Sequence, residues 1–315
     1  MLVEKYSLNN YEEWDSFISE SSHGNFLHTR KFLNYHRERF RDFSFLVRAE
    51  LGEVIAVFPA ALIAEDSRDV VSHPGSTFGG LVFKDKVLID TRIDAYRMIL
   101  DELKRMKINS LSVRVVPSFY EEELDDLDDF VMHHVGFQVT SFNLSSTIKL
   151  NGNLEYSNRR VRGMKKGSSR LVLGSGIEYL EPFYEVLLEN LRSVHNVSPV
   201  HSLKELEELM KLFEEEIELD VALFEQKVCA GIVKFSHDKV VHAQYIAANE
   251  IGRSNSALDY LFSEGINAAR SEKKEYFDFG ISTIDSGRHL NLGLHNYKME
   301  FGSVPTLYKT FSINF

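Results

Sequence analysis

The sequence predicts an α/β protein in the α+β sense: two domains, each a mixed, mostly antiparallel sheet flanked by helices. Three observations carry that expectation. A chain of 315 residues exceeds one average domain and suits two. With 43% hydrophobic and 26% charged residues it has the balance of an ordinary globular chain, and enough apolar material for two cores. Each half combines alternating, strand-like runs with segments of helical period, so the expected domains are 1–150 and 151–315.

In the first half, helical patterning runs through YEEWDSFISES and then HTRKFLNYHRERF. Strand-like FSFLVRAE and VIAVFPAALIAE follow, joined at the turn LGE. Glycine-rich HPGSTFGGLVF leads into another strand. TRIDAYRMILDELKRMK reads as an amphipathic helix, and SLSVRVVP as a strand closed by Pro117. After the acidic run EEELDDLDD, the stretch FQVTSFNLSSTIKL is strand-like again.

The second half opens on LEYSNRRVRGMKKGSSR, where Arg159, Arg160, Arg162, Lys165, Lys166 and Arg170 stand against the single acid Glu155. YLEPFYEVLLENLRSVH reads as a helix. So does HSLKELEELMKLFEEEIE, with Ser202 and Glu205 at capping-box spacing and a helical period through Leu203, Leu206, Met210, Phe213 and Ile217. DVALFEQ, VCAGIVKFS and VVHAQYIAA form a meander of strands. The polar loop NEIGRSNS, the helix ALDYLFSEGINAARSEK and the strand YFDFGIS follow, then GLHNYKMEFG as a short helix and VPTLYKTFSI as a last strand.

A formal net charge of −11 argues against broad nucleic-acid binding, though a local cationic cluster still acts within a Debye length of roughly 8–10 Å. The acidic runs at 121–129 and 205–218 read as solvated faces. Cys229 is the only cysteine, which fits a reducing compartment. No window has the apolar length of a spanning helix and no signal pattern opens the chain, so a cytoplasmic protein without membrane insertion is expected. No metal is expected either: HExxH and CxxC patterns are missing, and the adjacent His133 and His134 cannot share one face of a regular element.

Several residues could carry chemistry. The stretch 252–257 offers Gly252, Arg253, Ser254, Asn255 and Ser256 at a helix N-terminus, where backbone N–H groups and the macrodipole favour a phosphate; an ordinary capped helix start would look the same. On the strand VVHAQYIAA, His242 and Gln244 share a face and Tyr245 looks the other way. On YFDFG, Asp278 faces with Tyr276 and Gly280, away from Phe277 and Phe279. Asp278 is thus either a structural acceptor or a catalytic group, and His242 either a satisfied core histidine or a base for an attacking amine. Cys229, between valine and alanine on a strand, reads as buried and inert. His73 and Pro74 with Gly75, Gly79 and Gly80 either line a cleft or form a turn. His195, His201, His289 and His295 have no supporting partner in the sequence.

YFDFGISTIDSGRHLNLGLHNYKMEFG resembles the C-terminal signature of the FemAB-like (BioF2-like) acyltransferases of the GNAT superfamily, whose chains are tandem GNAT domains. The matching pieces are DFG after an aromatic strand, LNLGL, and the aromatic-Lys-x-x-Phe-Gly run. The segment NRRVRGMKKG is similar to that family's basic helix, and WDSFI…GNFLHTRKFL to its opening. Length without a coiled-coil insertion is most similar to the members that N-acylate nucleotide-linked amino sugars for surface polysaccharide (lipopolysaccharide or O-antigen) synthesis.

The resemblance implies two GNAT-like domains, with the working cleft in the second and acyl-CoA as co-substrate at 252–256. It implies direct attack of a dTDP- or UDP-linked amino deoxysugar on the thioester, with His242 or Asp278 assisting deprotonation. Lys298 would stand at the developing oxyanion, where loss of one donor costs roughly 10²–10³ in rate; a lysine at the edge of a packed helix is the bland reading. Arg159, Arg160 and Lys165 would hold acceptor phosphates, with Gln244 and Tyr297 beside the substrate. The partners are then small molecules, with a homodimer compatible. Two rival readings stand: an aminoacyl-tRNA-dependent Fem-type transferase building peptidoglycan bridges, and a non-catalytic assembly protein.

Overall fold

Two strands cross between the two compact units into which the chain divides, Met1–Asn143 with Leu307–Phe315, and Leu144–Thr306. The strand Gln138–Lys149 begins in the first unit and ends in the second, and Val304–Asn314 runs back the other way. The expected division at 150 falls just past the end of the first of these strands, and residues 307–315 group by contacts with the first unit. Strand pairing is a long-range property, and sequence adjacency does not report it. The computed structural model describes residues 1–64, 66–121, 126–194 and 199–315, so His195 and residues 122–125 of the acidic run lie outside the described residues.

In the first unit, Leu2–Lys5, Phe45–Arg48, Val54–Phe58 and Val82–Phe83 form an antiparallel sheet in that order. Ser110–Arg114 pairs in parallel with Asp69–Val71 and antiparallel with residues 310–314. The helix Ile89–Arg105 turns Ala95, Tyr96, Ile99, Leu100 and Leu103 inward at the spacing its sequence predicts, onto Phe45, Phe58, Phe83 and Phe137. Each such aliphatic, fully buried, contributes roughly 1.5–3 kcal/mol. The pattern across 28–40 is only partly α-helical: Arg30–Leu33 forms one α-turn and Asn34–Arg39 continues as a 3₁₀ helix. Here tertiary contact overrides propensity. Arg30 is drawn fully inside, over the rings of Tyr6 and Trp14 at 3.4 and 4.4 Å, and bonded to Asp42 at 2.7 Å.

The second unit is built on a sheet in the order Val172–Ser175, Ile217–Phe224, Lys227–Ser236, Val240–Ala248, Tyr276–Ile281 and the end of Gln138–Lys149. All neighbours are antiparallel except Val240–Ala248 and Tyr276–Ile281, which are parallel and need the crossover helix Ala257–Ser271 between them. Phe277 and Phe279 face that helix and its neighbour, meeting Phe262 and Phe301 with ring centroids 4.7–6.1 Å apart. The capping box of Ser202 and Glu205 opens the helix Leu203–Leu212 as its spacing predicts. That helix stops sooner than the apolar period suggests. Phe213 leaves helical geometry, and Ile217 begins a strand in register with Phe235, so both are buried for different reasons.

Two features open this sheet. The parallel pairing covers only Val240↔Tyr276, Val241↔Phe277 and His242↔Asp278. Beyond His242 the ladder between the two strands ends. On its other edge Val240–Ala248 shifts register, with Tyr245 opposite Val233 but Ala243 opposite Lys234, which makes Gln244 the extra residue of a bulge. No helix among the described residues is long and apolar enough to cross a membrane.

Candidate active site

Asp278 is fully buried, and its carboxylate accepts hydrogen bonds from a neighbouring strand. Oδ1 takes the Ser145 hydroxyl at 2.6 Å, the Thr147 hydroxyl at 3.1 Å and the Gly280 N–H at 3.2 Å. Because Thr147 donates to Asp278, the Thr306 hydroxyl 2.7 Å away is the donor to Thr147. Oδ2 lies 2.8 Å from His242 Nδ1. An ionised carboxylate can only accept, so facing one the His242 proton sits on Nδ1 and the basic lone pair on Nε2. The two residues face each other because they are the last pair of the parallel ladder. Sequence alternation put each on the right face of its strand; register put them side by side.

Past Asp278 the strand Tyr276–Ile281 leaves its ladder. Its register with Gln138–Lys149 shifts between Asp278 and Ile281, and Gly280 adopts φ +74°, a conformation costly for other residues. Lys298, on the helix Leu292–Met299, meets this irregularity from below. Its Nζ donates to the carbonyls of Gly280 at 2.7 Å and Ile281 at 2.8 Å. The lysine is 2% exposed, and burial pushes its pKa down to about 8, against a smaller opposing effect of Asp278. The cation expected at a reacting carbonyl thus has two of its protons on the protein's own backbone.

A cavity of about 450 Å³ lies on the same unit, lined by Arg159, Arg160, Arg162, Lys166 and Arg253 against one carboxylate, Asp259. One wall is the N-terminus of Ala257–Ser271. Ser256 precedes it at φ 57° and makes no side-chain cap, so the first N–H groups of the helix keep their capacity for an anion. The opposite wall is the helix Asn158–Ser168. Arg159, Arg162 and Lys166 recur on one face of it at i, i+3 and i+7, while Arg160, Gly163 and Gly167 face the neighbouring helix. The glycines are required there: a Cβ at Gly163 would lie 1.7 Å from Asp259 Oδ2, and one at Gly167 2.6 Å from Tyr260 Cβ.

Not all the cations are available. Arg160 is 5% exposed, bonded through Nη1 to Asp259 Oδ1, and stacked 4.4 Å from the Tyr297 ring. Its Nε forms a close ion pair with Glu300 at 2.8 Å, without hydrogen-bond alignment. Tyr297 donates its hydroxyl to Asp259 at 2.7 Å. Burial raises the Asp259 carboxyl, with Tyr297 and Arg160 pulling the other way. This knot of Arg160, Asp259, Tyr297 and Glu300 ties three helices together, Asn158–Ser168, Ala257–Ser271 and Leu292–Met299.

The residues expected to bind donor and acceptor separately are brought into one place. Gly252, Arg253 and Ser256 from the donor group line the same cavity as Arg159, Arg160 and Tyr297 from the acceptor group. Ser254, Asn255, Lys165 and Gln244 are not among its lining. The expected loop at 249–256 is instead a short helix, Glu250–Ser254, capped by Asn249 accepting from Gly252 N–H. Gly252 serves packing, since a Cβ there would meet the Cys229 carbonyl at 2.3 Å. Asn255 is engaged by Arg170 and the Ile251 carbonyl. Lys165 is exposed on the helix surface. Cys229 is buried, its thiol pushed up by burial, and His73 forms a turn with Nδ1 3.0 Å from the Pro74 carbonyl. Ser145 and Thr147 complete the centre without any signal in the sequence that singles them out.

Residues 149–299 match the family model described as the acetyltransferase (GNAT) domain. The second unit is a GNAT domain. Its short parallel pair, bulged strand and crossover helix are the parts assembled above. Comparison with curated proteins returns no match in sequence. Solved structures are similar across the whole chain: FemX at 12% identity, TM-score 0.70, covering 99% of this chain and 97% of that one. The C-terminal domain of a putative lysylphosphatidylglycerol synthetase from Agrobacterium fabrum follows at 10%, TM-score 0.62, covering 98% and 93%. A tandem GNAT protein from the clavulanic acid biosynthesis pathway is similar at 10%, TM-score 0.57, covering 99% and 98%. At these identities the likeness is one of fold. The likeness in fold agrees with the tandem arrangement that the sequence resemblance implies, and the match to the acetyltransferase (GNAT) domain is carried by residues 149–299.

Proposed function

We propose that this protein moves an acyl group from acyl-CoA to the amino group of a nucleotide-linked (dTDP or UDP) amino deoxysugar by direct attack on the thioester. The observation that carries the reading is the cationic cavity at an uncapped helix N-terminus. Its N–H groups, with Arg162, Lys166, Arg253 and Arg159, suit the phosphates of a CoA donor. From Ala248 at the cavity, the strand runs back five residues, about 17 Å, to Ala243 beside the end of the ladder. On that side the strand has no ladder partner past His242 among the described residues, which suits an extended amide-bearing arm and a thioester oxygen seeking a backbone N–H.

The nucleophile must be a neutral amine. His242 Nε2 takes the proton that the ammonium loses, the new N–C bond forms as the C–S bond breaks, and the departing thiolate takes up the second proton that the nitrogen sheds. Asp278 holds the tautomer that makes Nε2 basic. The nucleotide part of the acceptor rests on the sequence resemblance. The test is free-thiol release from a panel of acyl-CoAs crossed with dTDP- and UDP-linked amino sugars. Release that needs both partners is expected, and silence across the panel overturns the reading. The same cationic cavity also suits the 3′ end of an RNA, which favours aminoacyl-tRNA as the second donor class. Transfer from a charged tRNA, falling steeply with salt, would select it.

A further inference from the structure

We propose that Lys298 is a positioning residue for the His242–Asp278 pair rather than a group that touches the reacting carbonyl. The inference rests on the acyl-transfer reading above for its functional meaning, and on a continuous chain of contacts for its physical content. Lys298 Nζ holds the Gly280 and Ile281 carbonyls at 2.7 and 2.8 Å. The Gly280 N–H in turn holds Asp278 Oδ1 at 3.2 Å, and Asp278 Oδ2 meets His242 Nδ1 at 2.8 Å. A Cβ placed on Gly280 would lie 3.4 Å from His242 Cε1, so this same glycine backs the imidazole ring.

The arrangement follows from the break in the ladder. Where the strand Tyr276–Ile281 shifts register, carbonyls that a regular sheet would satisfy need another donor, and a buried ammonium supplies two bonds at once. Lys298 is itself fixed from its own helix. Asn291 caps that helix through Leu294 N–H at 3.0 Å, and Ser303 Oγ donates to the Lys298 carbonyl at 3.0 Å. Lys298 is not among the residues lining the cationic cavity, whereas its neighbour Tyr297 is. Clamping the 280–281 peptide therefore sets where Asp278 sits and which way His242 turns.

The experiment is nitrogen-15 NMR of imidazole tautomers in the free full-length enzyme, with the His242 signals assigned by their loss in His242→Gln. Wild type should show Nδ1 protonated and Nε2 unprotonated. Lys298→Met should lose that single-tautomer signature while retaining its circular dichroism, and kcat should fall roughly 10²-fold with the KM for acyl-CoA changed less than about twofold. Lys298→Arg, which keeps donors for both carbonyls, should restore the signature. If Lys298→Met does not fold, Lys298→Gln, whose shorter neutral side chain brings an amide oxygen as well as an NH2 toward the two carbonyls, should show a mixed tautomer population. An unchanged signature in the folded variant overturns the proposal and returns Lys298 to the chemistry itself. Because the signature is read without substrate, its loss or survival is independent of any failure of the thiol-release assay.

Discussion

The two polar centres of the second unit solve opposite problems. Around Asp278 the site is closed: the carboxylate is fully buried and receives hydrogen bonds from Ser145, Thr147, Gly280 and His242. Around Arg162 and Lys166 it is open, with exposed cations on one helix face and a cavity before them. A buried, fully paired centre can hold one proton in one place but has little capacity left for a ligand. An exposed cationic wall can bind charge but cannot fix a tautomer, and it is screened by salt. On the proposed function, the first would carry the chemistry and the second the capture of a phosphorylated donor.

The strongest way to break that division is to disarm the closed centre. His242→Ala and Asp278→Asn should each lower kcat for thiol release by roughly 10²–10⁴ while leaving the KM for acyl-CoA close to wild type. Asp278→Asn acts through geometry, since an amide can donate to His242 and favour the wrong tautomer. Unchanged turnover in both would make the pair a structural knot like Arg160–Asp259, and the comparison would collapse.

How much of this is legible in the sequence depends on whether the governing interaction is local. The capping box at Ser202, the apolar stripe of Ile89–Arg105 and the opposed faces of Phe277 and Asp278 are local, and each is realised. The arginine-rich helix is legible too, but the residues expected to work on it do not share one face: Arg159, Arg162 and Lys166 lie on a face that Arg160 and Lys165 do not. Applying the i, i+3, i+7 rule would find Arg162 and Lys166. Nothing local announces that Lys298 reaches back to 280 and 281, or that Ser145 and Thr147 complete Asp278. Those contacts exist only once strand register is set.

The second test concerns burial of the clamp. Lys298 titrates at about 8 in the folded protein and near 10.5 when exposed on unfolding. Between those values the unfolded chain binds the extra proton, so this residue makes stability rise with pH, by roughly 3 kcal/mol over the whole interval. Urea unfolding of wild type and Lys298→Met at pH 7, 9 and 10.5 should show wild type gaining on the variant as pH rises. A constant difference would mean that the ammonium bears no burial cost, and the centre would be less closed than its geometry implies.

A third test strikes the seam between the two helices that wall the cavity. Gly163→Ala puts a methyl group 1.7 Å from Asp259 Oδ2, so either the helix Asn158–Ser168 shifts or the Arg160–Asp259 bond opens. Overpacking of this kind costs about 1–3 kcal/mol, which a fall in melting temperature would report. An unaltered melting temperature would show that the two helices pack with slack the glycines do not require.

The smallest expected effects belong to the open wall, and they discriminate best because the helix carries its own control. Arg162→Ala and Lys166→Ala should each raise the KM for acyl-CoA by roughly two- to fivefold, the scale of one exposed ion pair, and the penalty should shrink as salt increases. Lys165→Ala removes the same charge from the same helix one residue away from Lys166, but from outside the cavity lining. If the wall binds through placed cations, Lys165→Ala leaves KM unaltered. If all three substitutions raise KM equally, the helix acts only as a diffuse positive field, and the open centre is a steering surface instead of a binding site.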